Sequence, residues 1–257
     1  MFPSINWNDY LFRKVAWQTH HNFTLSGGGD TFCYFASVSY LSQDGMLKRF
    51  AESYDPNYVY NRYNYRANLD INVSSSTLIR SNISGRVSLL NAPMGKDIWR
   101  SIMSAVPYGG AGVINGKYIR NTDRYIPMSM STGLDAYYNQ GYSTNTTNEL
   151  NVDLVLEQKL NFITPGLKTK IKMAYNSSYA INRERKHTGV VYLPIYKSTL
   201  LEPNLSIDDL GFDHTIVFQK QGEEDESLGY DYEKERARDW YGEFSFEYER
   251  NFGVHNF

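Results

Sequence analysis

Tyr60-Asn61-Arg62-Tyr63-Asn64-Tyr65-Arg66-Ala67-Asn68-Leu69-Asp70-Ile71-Asn72-Val73 decides the fold class. Tyr63, Tyr65, Ala67, Leu69, Ile71 and Val73 fall on one parity; Arg62, Asn64, Arg66, Asn68, Asp70 and Asn72 fall on the other. A period of two is that of a β-strand with one apolar and one wet face. The run exceeds an ordinary soluble strand of about five or six residues. It also exceeds the roughly nine to eleven residues a tilted strand needs to cross a bilayer.

The pattern recurs on both sides. In Glu149 to Phe162, Leu150, Val152, Leu154, Leu156, Leu160 and Phe162 oppose Asn151, Asp153, Glu157, Lys159 and Asn161. In Leu167 to Tyr179, Leu167, Ile171, Met173, Tyr175 and Tyr179 oppose Lys168, Lys170 and Lys172. In Trp240 to Tyr248, Trp240, Phe244, Phe246 and Tyr248 oppose Glu243, Glu247 and Glu249. Thr31 to Ser42 and Thr77 to Val87 read as further strands, so the chain is all-β. Placing Phe162 opposite Leu167 across Pro165-Gly166 sets Leu156 against Met173, Leu154 against Tyr175 and Glu157 against Lys172, which joins the apolar faces into one band.

The connections alternate in length. Short turns are expected at Gly27-Gly28-Gly29-Asp30, Ser74-Ser75-Ser76, Ile163-Thr164-Pro165-Gly166 and Asn251-Phe252-Gly253, where Gly and Pro supply hairpin geometry. Between them lie long excursions, 43–59, 91–148 and 182–237, read as largely irregular apart from a short helix over Asp97 to Ala105. Short turns at one end and long loops at the other are the layout of an outer-membrane β-barrel.

Composition is consistent with that layout. The 26 basic and 28 acidic residues leave a net charge of −2 and no basic excess to neutralise a nucleic-acid backbone, so no nucleic-acid partner is expected. Mean hydropathy is −0.52 and no apolar run is long enough for a membrane helix. Strands that alternate escape that measure, because their two faces cancel in any window. The 22 Tyr outnumber the 13 Phe and 4 Trp, and an amphipathic ring suits a lipid–water boundary or the face of a sugar.

Chemistry-bearing constellations are sparse. His20 and His21 are neighbours on a strand and point to opposite faces, so they cannot share an ion. Cys33 is the single cysteine and reads as a small strand residue. Gly27-Gly28-Gly29 and Gly109-Gly110-Ala111-Gly112 lack the Lys-Ser and the helix of a phosphate loop. Glu223-Glu224-Asp225-Glu226 reads as a solvated loop tip. No nucleophile, base and oxyanion donor assemble, so neither catalysis nor a metal or cofactor is expected. The candidate contact surface is aromatic: Trp99, Tyr108, Tyr118, Tyr125, Tyr137 and Tyr138 all lie in the 91–148 excursion and would stack on a ligand, touch a covering partner, or pack the loop against itself.

Several stretches resemble one family. His21-Asn22-Phe23-Thr24-Leu25-Ser26-Gly27-Gly28 is similar to the first barrel strand and turn of SusC/RagA-type TonB-linked outer-membrane transporters. Tyr34 to Gly45 resembles the family's next strand, and Tyr60 to Asp70 its Arg-Tyr-x-x-Arg-x-Asn-hydrophobic-Asp strand. Ile163 to Leu167 and Tyr248 to Asn256 resemble later hairpins, so the likeness runs in order from Trp7 to Phe257.

The resemblance implies an antiparallel transmembrane β-barrel of roughly 22 strands in the outer membrane of a Gram-negative bacterium. It further implies an N-terminal plug, energisation through TonB, a SusD-like surface lipoprotein as partner, and a glycan or peptide as substrate. On this reading residues 1–257 form a segment of a single barrel domain, about eight strands, inactive alone. The signal peptide, plug and TonB-contacting segment would precede Met1, and the other strands would follow Phe257. Two other readings stand beside it: a complete small barrel with an adhesive or structural role, and a soluble carbohydrate-binding β-sandwich.

Overall fold

The computed structural model describes residues 4–50, 54–95, 97–121, 132–134, 137–138, 140–196, 207–208, 216–223, 225, 227–249, 251–252 and 255–256. In chain order these form α1 (Trp7–Leu11), β1 (Gln18–Gly28), β2 (Phe32–Asp44), β3 (Val59–Asn72), β4 (Thr77–Pro93), α2 (Ile98–Met103), β5 (Gly110–Ile114), β6 (Lys117–Arg120), β7 (Gly141–Lys159), β8 (Leu167–Lys186), β9 (Val191–Tyr196), β10 (Ile207–Asp208), β11 (Ile216–Gln221) and β12 (Gly229–Tyr248). A short antiparallel pair, Asn251–Phe252 with His255–Asn256, follows.

The fold is all-β. Seven long strands make one antiparallel sheet in the order β1-β2-β3-β4-β7-β8-β12. The sheet is open: its two edge strands, of 11 and 20 residues, do not pair with each other. The register runs without a shift through all six pairings, so each side chain keeps its face from one edge to the other. One rung reads Leu25, Ala36, Ala67, Ile83, Val152, Tyr175 and Trp240.

Two expectations need correction. The β7–β8 register is Leu156 opposite Ile171, Leu154 opposite Met173 and Glu157 opposite Lys170, two residues from the pairing expected across Pro165-Gly166. The connection is wider than a tight hairpin. The Leu160 amide donates to the Leu167 carbonyl, and a helical turn with Ile163 and Thr164 both donating to the Leu160 carbonyl fills the space. A slip of two preserves parity, which is why the faces still match. The long excursions are also neither as long nor as irregular as expected: β4 reaches Pro93, β7 begins at Gly141, β8 reaches Lys186 and β12 begins at Gly229.

The loop segments form a second structure, a cap. A smaller sheet, β10-β11-β9-β6-β5, is built from the last two excursions. Its β5–β6 hairpin turns at Asn115-Gly116, with φ of 50° and 75°, the left-handed pair a two-residue hairpin demands. Trp7, Leu11, Leu47, Ile98, Ile102, Tyr118, Leu134, Tyr137 and Tyr138 pack into one buried cluster; Ile119, Val190, Tyr192 and Phe218 form another. α1 is capped by the Asn6 side chain, which accepts from the Asn8 and Asp9 amides. All these segments join the sheet at the end opposite the short turns.

Candidate functional site

The outward-facing parity of the long sheet carries Phe23 and Leu25 on β1, Val38 on β2, Tyr63 and Leu69 on β3, Ile83 on β4, Leu154 on β7, Met173 on β8, and Trp240, Phe244 and Phe246 on β12. All are exposed large apolar side chains. No described layer covers this face. Tyr40 stacks on Tyr63 with centroids 4.8 Å apart, and Tyr175 meets Trp240 at 4.3 Å. Two glycines lie beneath rings from the neighbouring strand. Tyr65 crosses Gly85, and Tyr34 crosses Gly27. The rings replace the side chains those glycines lack.

The apolar stretch is oblique to the rungs. On the rungs of His21 and Phe23, β12 presents Arg236 and Arg238. Near the short turns β12 still presents Phe244, Phe246 and Tyr248, although β1 has ended. Strands tilted against the barrel axis produce such a slide, because a level band then cuts successive strands at shifted residues. From Tyr63 to Ile71 the stretch covers roughly 27 Å along the strand, or about 21 Å after a tilt near 40°.

The opposite parity is polar and cross-linked. Arg80 on β4 binds Glu157 on β7 at 2.7 Å and Asp70 on β3 at 3.5 Å, while Lys170 on β8 reaches Glu157 at 3.9 Å. Arg86 meets Glu149 at 2.6 Å, and Lys168 meets Glu247 at 2.9 Å. The Asn64 amide donates to Ser39 Oγ at 2.9 Å. Oppositely charged groups thus face each other across four consecutive strand pairs, an arrangement that keeps a charged surface wet with much of its charge matched.

The aromatic candidates divide sharply. Tyr118, Tyr137 and Tyr138 are buried in the cap, where Tyr137 Oη donates to the Lys48 carbonyl, Tyr138 Oη donates to the Gly116 carbonyl, and Tyr118 Oη bonds Thr132 Oγ1. Their rings pack loop on loop and present no face to a ligand. Trp99 and Tyr108 stay exposed; Trp99 stacks flat on Phe12 at 5.4 Å. Tyr125 lies outside the described residues, as do Glu224 and Glu226 of the acidic run. Asp225 accepts from the Thr188 amide at 2.8 Å.

His20 and His21 do take opposite faces, and His21 stacks beside Tyr40. Tyr58, at the margin of the cap, has its phenol pushed above the ordinary range by burial. A shallow cleft beside α1 is lined by Asn6, Trp7, Ile102, Met103 and Pro107.

Sequence reasoning missed the basic side chains on the upper outward face of β8 and β12, because their strands were placed too short. The signal was present. Asp231-Tyr232-Glu233-Lys234-Glu235-Arg236-Ala237-Arg238-Asp239-Trp240 sorts acids to one parity and bases to the other.

No family model and no curated protein matches the sequence. The fold is similar to that of the RagAB peptide importer. Superposition on that importer in its open-open state gives a TM-score of 0.51 at 12% identity, over 95% of this chain and 31% of that one. A second RagAB peptide transporter structure gives 0.49 at 14% identity, over 96% and 32%. The chain therefore spans about a third of the length of the proteins it resembles, and the likeness is one of fold.

Proposed function

We propose that this chain is part of the wall of an outer-membrane transporter of the SusC/RagA type, importing a glycan or peptide under TonB-dependent drive. The observation that carries the reading is the uncovered apolar face, continuous over seven strands and backed by a charge-paired wet face. In water such a face would be covered by a second layer, as in a sandwich. In lipid it is the surface the solvent requires, and the oblique band supports a tilted wall. The likeness to the RagAB fold supports the same reading.

The open edges of β1 and β12 extend it. Unpaired backbone groups cannot face hydrocarbon, so further strands of a longer protein close the wall. That protein would also supply the plug and the segment that engages TonB. The long-loop end, with its folded cap, is the surface-exposed end, and a SusD-like lipoprotein would dock there. The wet face offers paired charges and amides, suited to a hydrated passage.

Site-directed labelling tests the reading in the intact protein in its own membrane, after Cys33→Ser. Met173→Cys should resist a hydrophilic maleimide and be quenched by a lipid-phase quencher, whereas Lys170→Cys, three residues away on the other face, should do the reverse. Equal labelling at both positions would overturn it.

A further inference from the structure

We propose that the outward face of β8 and β12, beyond the apolar band on the long-loop side, binds the phosphate groups of an anionic lipid of the surface leaflet. The inference rests on the membrane reading above and adds a ligand to it. Trp240 is the last apolar residue of β12 on the outward parity. Beyond it the same parity carries Arg238, Arg236, Lys234 and Tyr232, and the paired parity of β8 carries Arg183 and Arg185. The three β12 bases are exposed.

Across these rungs the outward face of β7, β8 and β12 presents Tyr142, Thr144, Thr146, Asn148, Ser177 and Tyr179 among the bases, with Ile181 buried between them, and no acid. The acids of the same stretch, Asp231, Glu233, Glu235 and Asp239, all take the inward parity. There Lys186 is held by Glu184 at 3.0 Å and Asp231 at 3.6 Å. Arg183, Lys234, Arg236 and Arg238 have no carboxylate within ion-pair distance among the described residues. A strand that sorts three bases outward and four acids inward, beside a neighbour that adds two more outward arginines, is not simply a solubilised edge.

Position selects the occupant. With a rise of about 3.4 Å per residue and a tilt near 40°, Arg238 stands about 5 Å and Lys234 about 16 Å beyond the level of Trp240. That interval begins where hydrocarbon gives way to headgroups. Arginine forks there would take phosphate oxygens in pairs, and tyrosine rings beside them lie at the depth such rings favour. Arg185 already sits over the Tyr230 ring at 4.3 Å and Lys234 over Tyr232 at 5.0 Å, which orders the patch before a lipid arrives.

The test uses the full-length protein in mild detergent, reconstituted into phosphatidylcholine vesicles with or without lipid A, and with dephosphorylated lipid A as the matched control. Retention of lipid A through delipidating washes is read by mass spectrometry. The expected result is phosphate-dependent retention that falls about tenfold or more in Lys234→Gln/Arg236→Gln/Arg238→Gln. Retention should persist in the charge-keeping variant Arg236→Lys/Arg238→Lys, and in the presence of millimolar inorganic phosphate. Equal retention of the two lipid A forms, no loss in the triple variant, or displacement by inorganic phosphate alone would overturn the proposal. Failure of the protein to enter plain phosphatidylcholine vesicles would instead overturn the membrane reading beneath it.

Discussion

Trp240 and Trp7 are the same residue type in opposite surroundings: Trp240 is 79% exposed on the face of the long sheet, and Trp7 is 4% exposed inside the loop cap. The contrast holds for the two regions as wholes. The cap is built with aliphatic and aromatic side chains turned inward and the buried hydroxyls of Tyr118, Tyr137 and Tyr138 matched to a carbonyl or hydroxyl. The wall is inverted, with its rings and aliphatics outward and its charges paired within. The two regions draw on different sources of stability. Hydrophobic burial in water holds the cap, whereas on the proposed membrane reading backbone ladders and a surrounding apolar solvent hold the wall.

If the regions are separable in this way, a large hole in the cap should leave the wall intact. Tyr137→Ala removes a fully buried ring and orphans the Lys48 carbonyl. It should cost the cap about 3–5 kcal/mol. Hydrogen exchange should then lose protection over 4–12, 45–50 and 97–121 while β2, β3 and β4 stay protected. Loss of protection in all of these together would show one cooperative unit and dissolve the comparison.

The wall should respond to charge where the cap responds to volume. Leu154→Arg, in the middle of the outward band, should cost about 2–4 kcal/mol in a bilayer. It should be read as a drop in heat-modifiable, membrane-inserted protein. Leu154→Ala should cost much less if, as proposed, lipid surrounds this face and fills the gap a smaller side chain leaves. A reversal of that order would place Leu154 against protein.

The junction of the regions has its own weak point. Gly141 opens β7 with φ of 86°, and a Cβ there would lie 1.8 Å from the Arg185 carbonyl oxygen. Its amide also donates to Tyr54 Oη at 2.8 Å, tying the start of β7 to the loop before β3. Gly141→Ala should cost about 1–3 kcal/mol, seen as faster exchange at the upper ends of β7 and β8 alone.

The sequence was most legible where the two faces differ most in polarity. Within the band, Tyr63 to Ile71 or Leu150 to Leu156 alternates so strongly that strand, face and neighbours follow from period alone. Beyond the band both faces of a strand are wet, and the alternation vanishes: Gly141 to Asn148 and Asn182 to Lys186 are strand without looking amphipathic, so each strand was read short. Thr144, Thr146 and Thr147 carried a β-propensity signal that could have extended β7. The cap was less legible, because its strands obey local turn chemistry and not an overall solvent. Asn115-Gly116 between Val113-Ile114 and Tyr118-Ile119 was a readable hairpin. Which loop tyrosines would be buried was not readable, since Tyr137 and Tyr108 differ only in what the other loops bring to them.

The smallest expected effect bears on what the wet face touches. Glu157 joins Arg80 and Lys170 across three strands, and Arg80 keeps Asp70 at 3.5 Å if Glu157 loses its charge. With Arg80 about 40% exposed, water shares in the solvation of this cluster. Glu157→Gln should therefore cost less than about 1 kcal/mol, and the cost should shrink further as salt is raised. A covered cluster would behave otherwise. A plug packed against these strands would exclude water and leave Arg80 and Lys170 short of counter-charge, and the same substitution would then cost about 3–5 kcal/mol with little dependence on salt. Made in the intact protein, this one substitution measures whether the inward face at Glu157 lines the hydrated passage of the proposed transporter or is sealed by protein. The first outcome is the one expected, because the partners at this point are already matched strand to strand and leave no charge that calls for another chain.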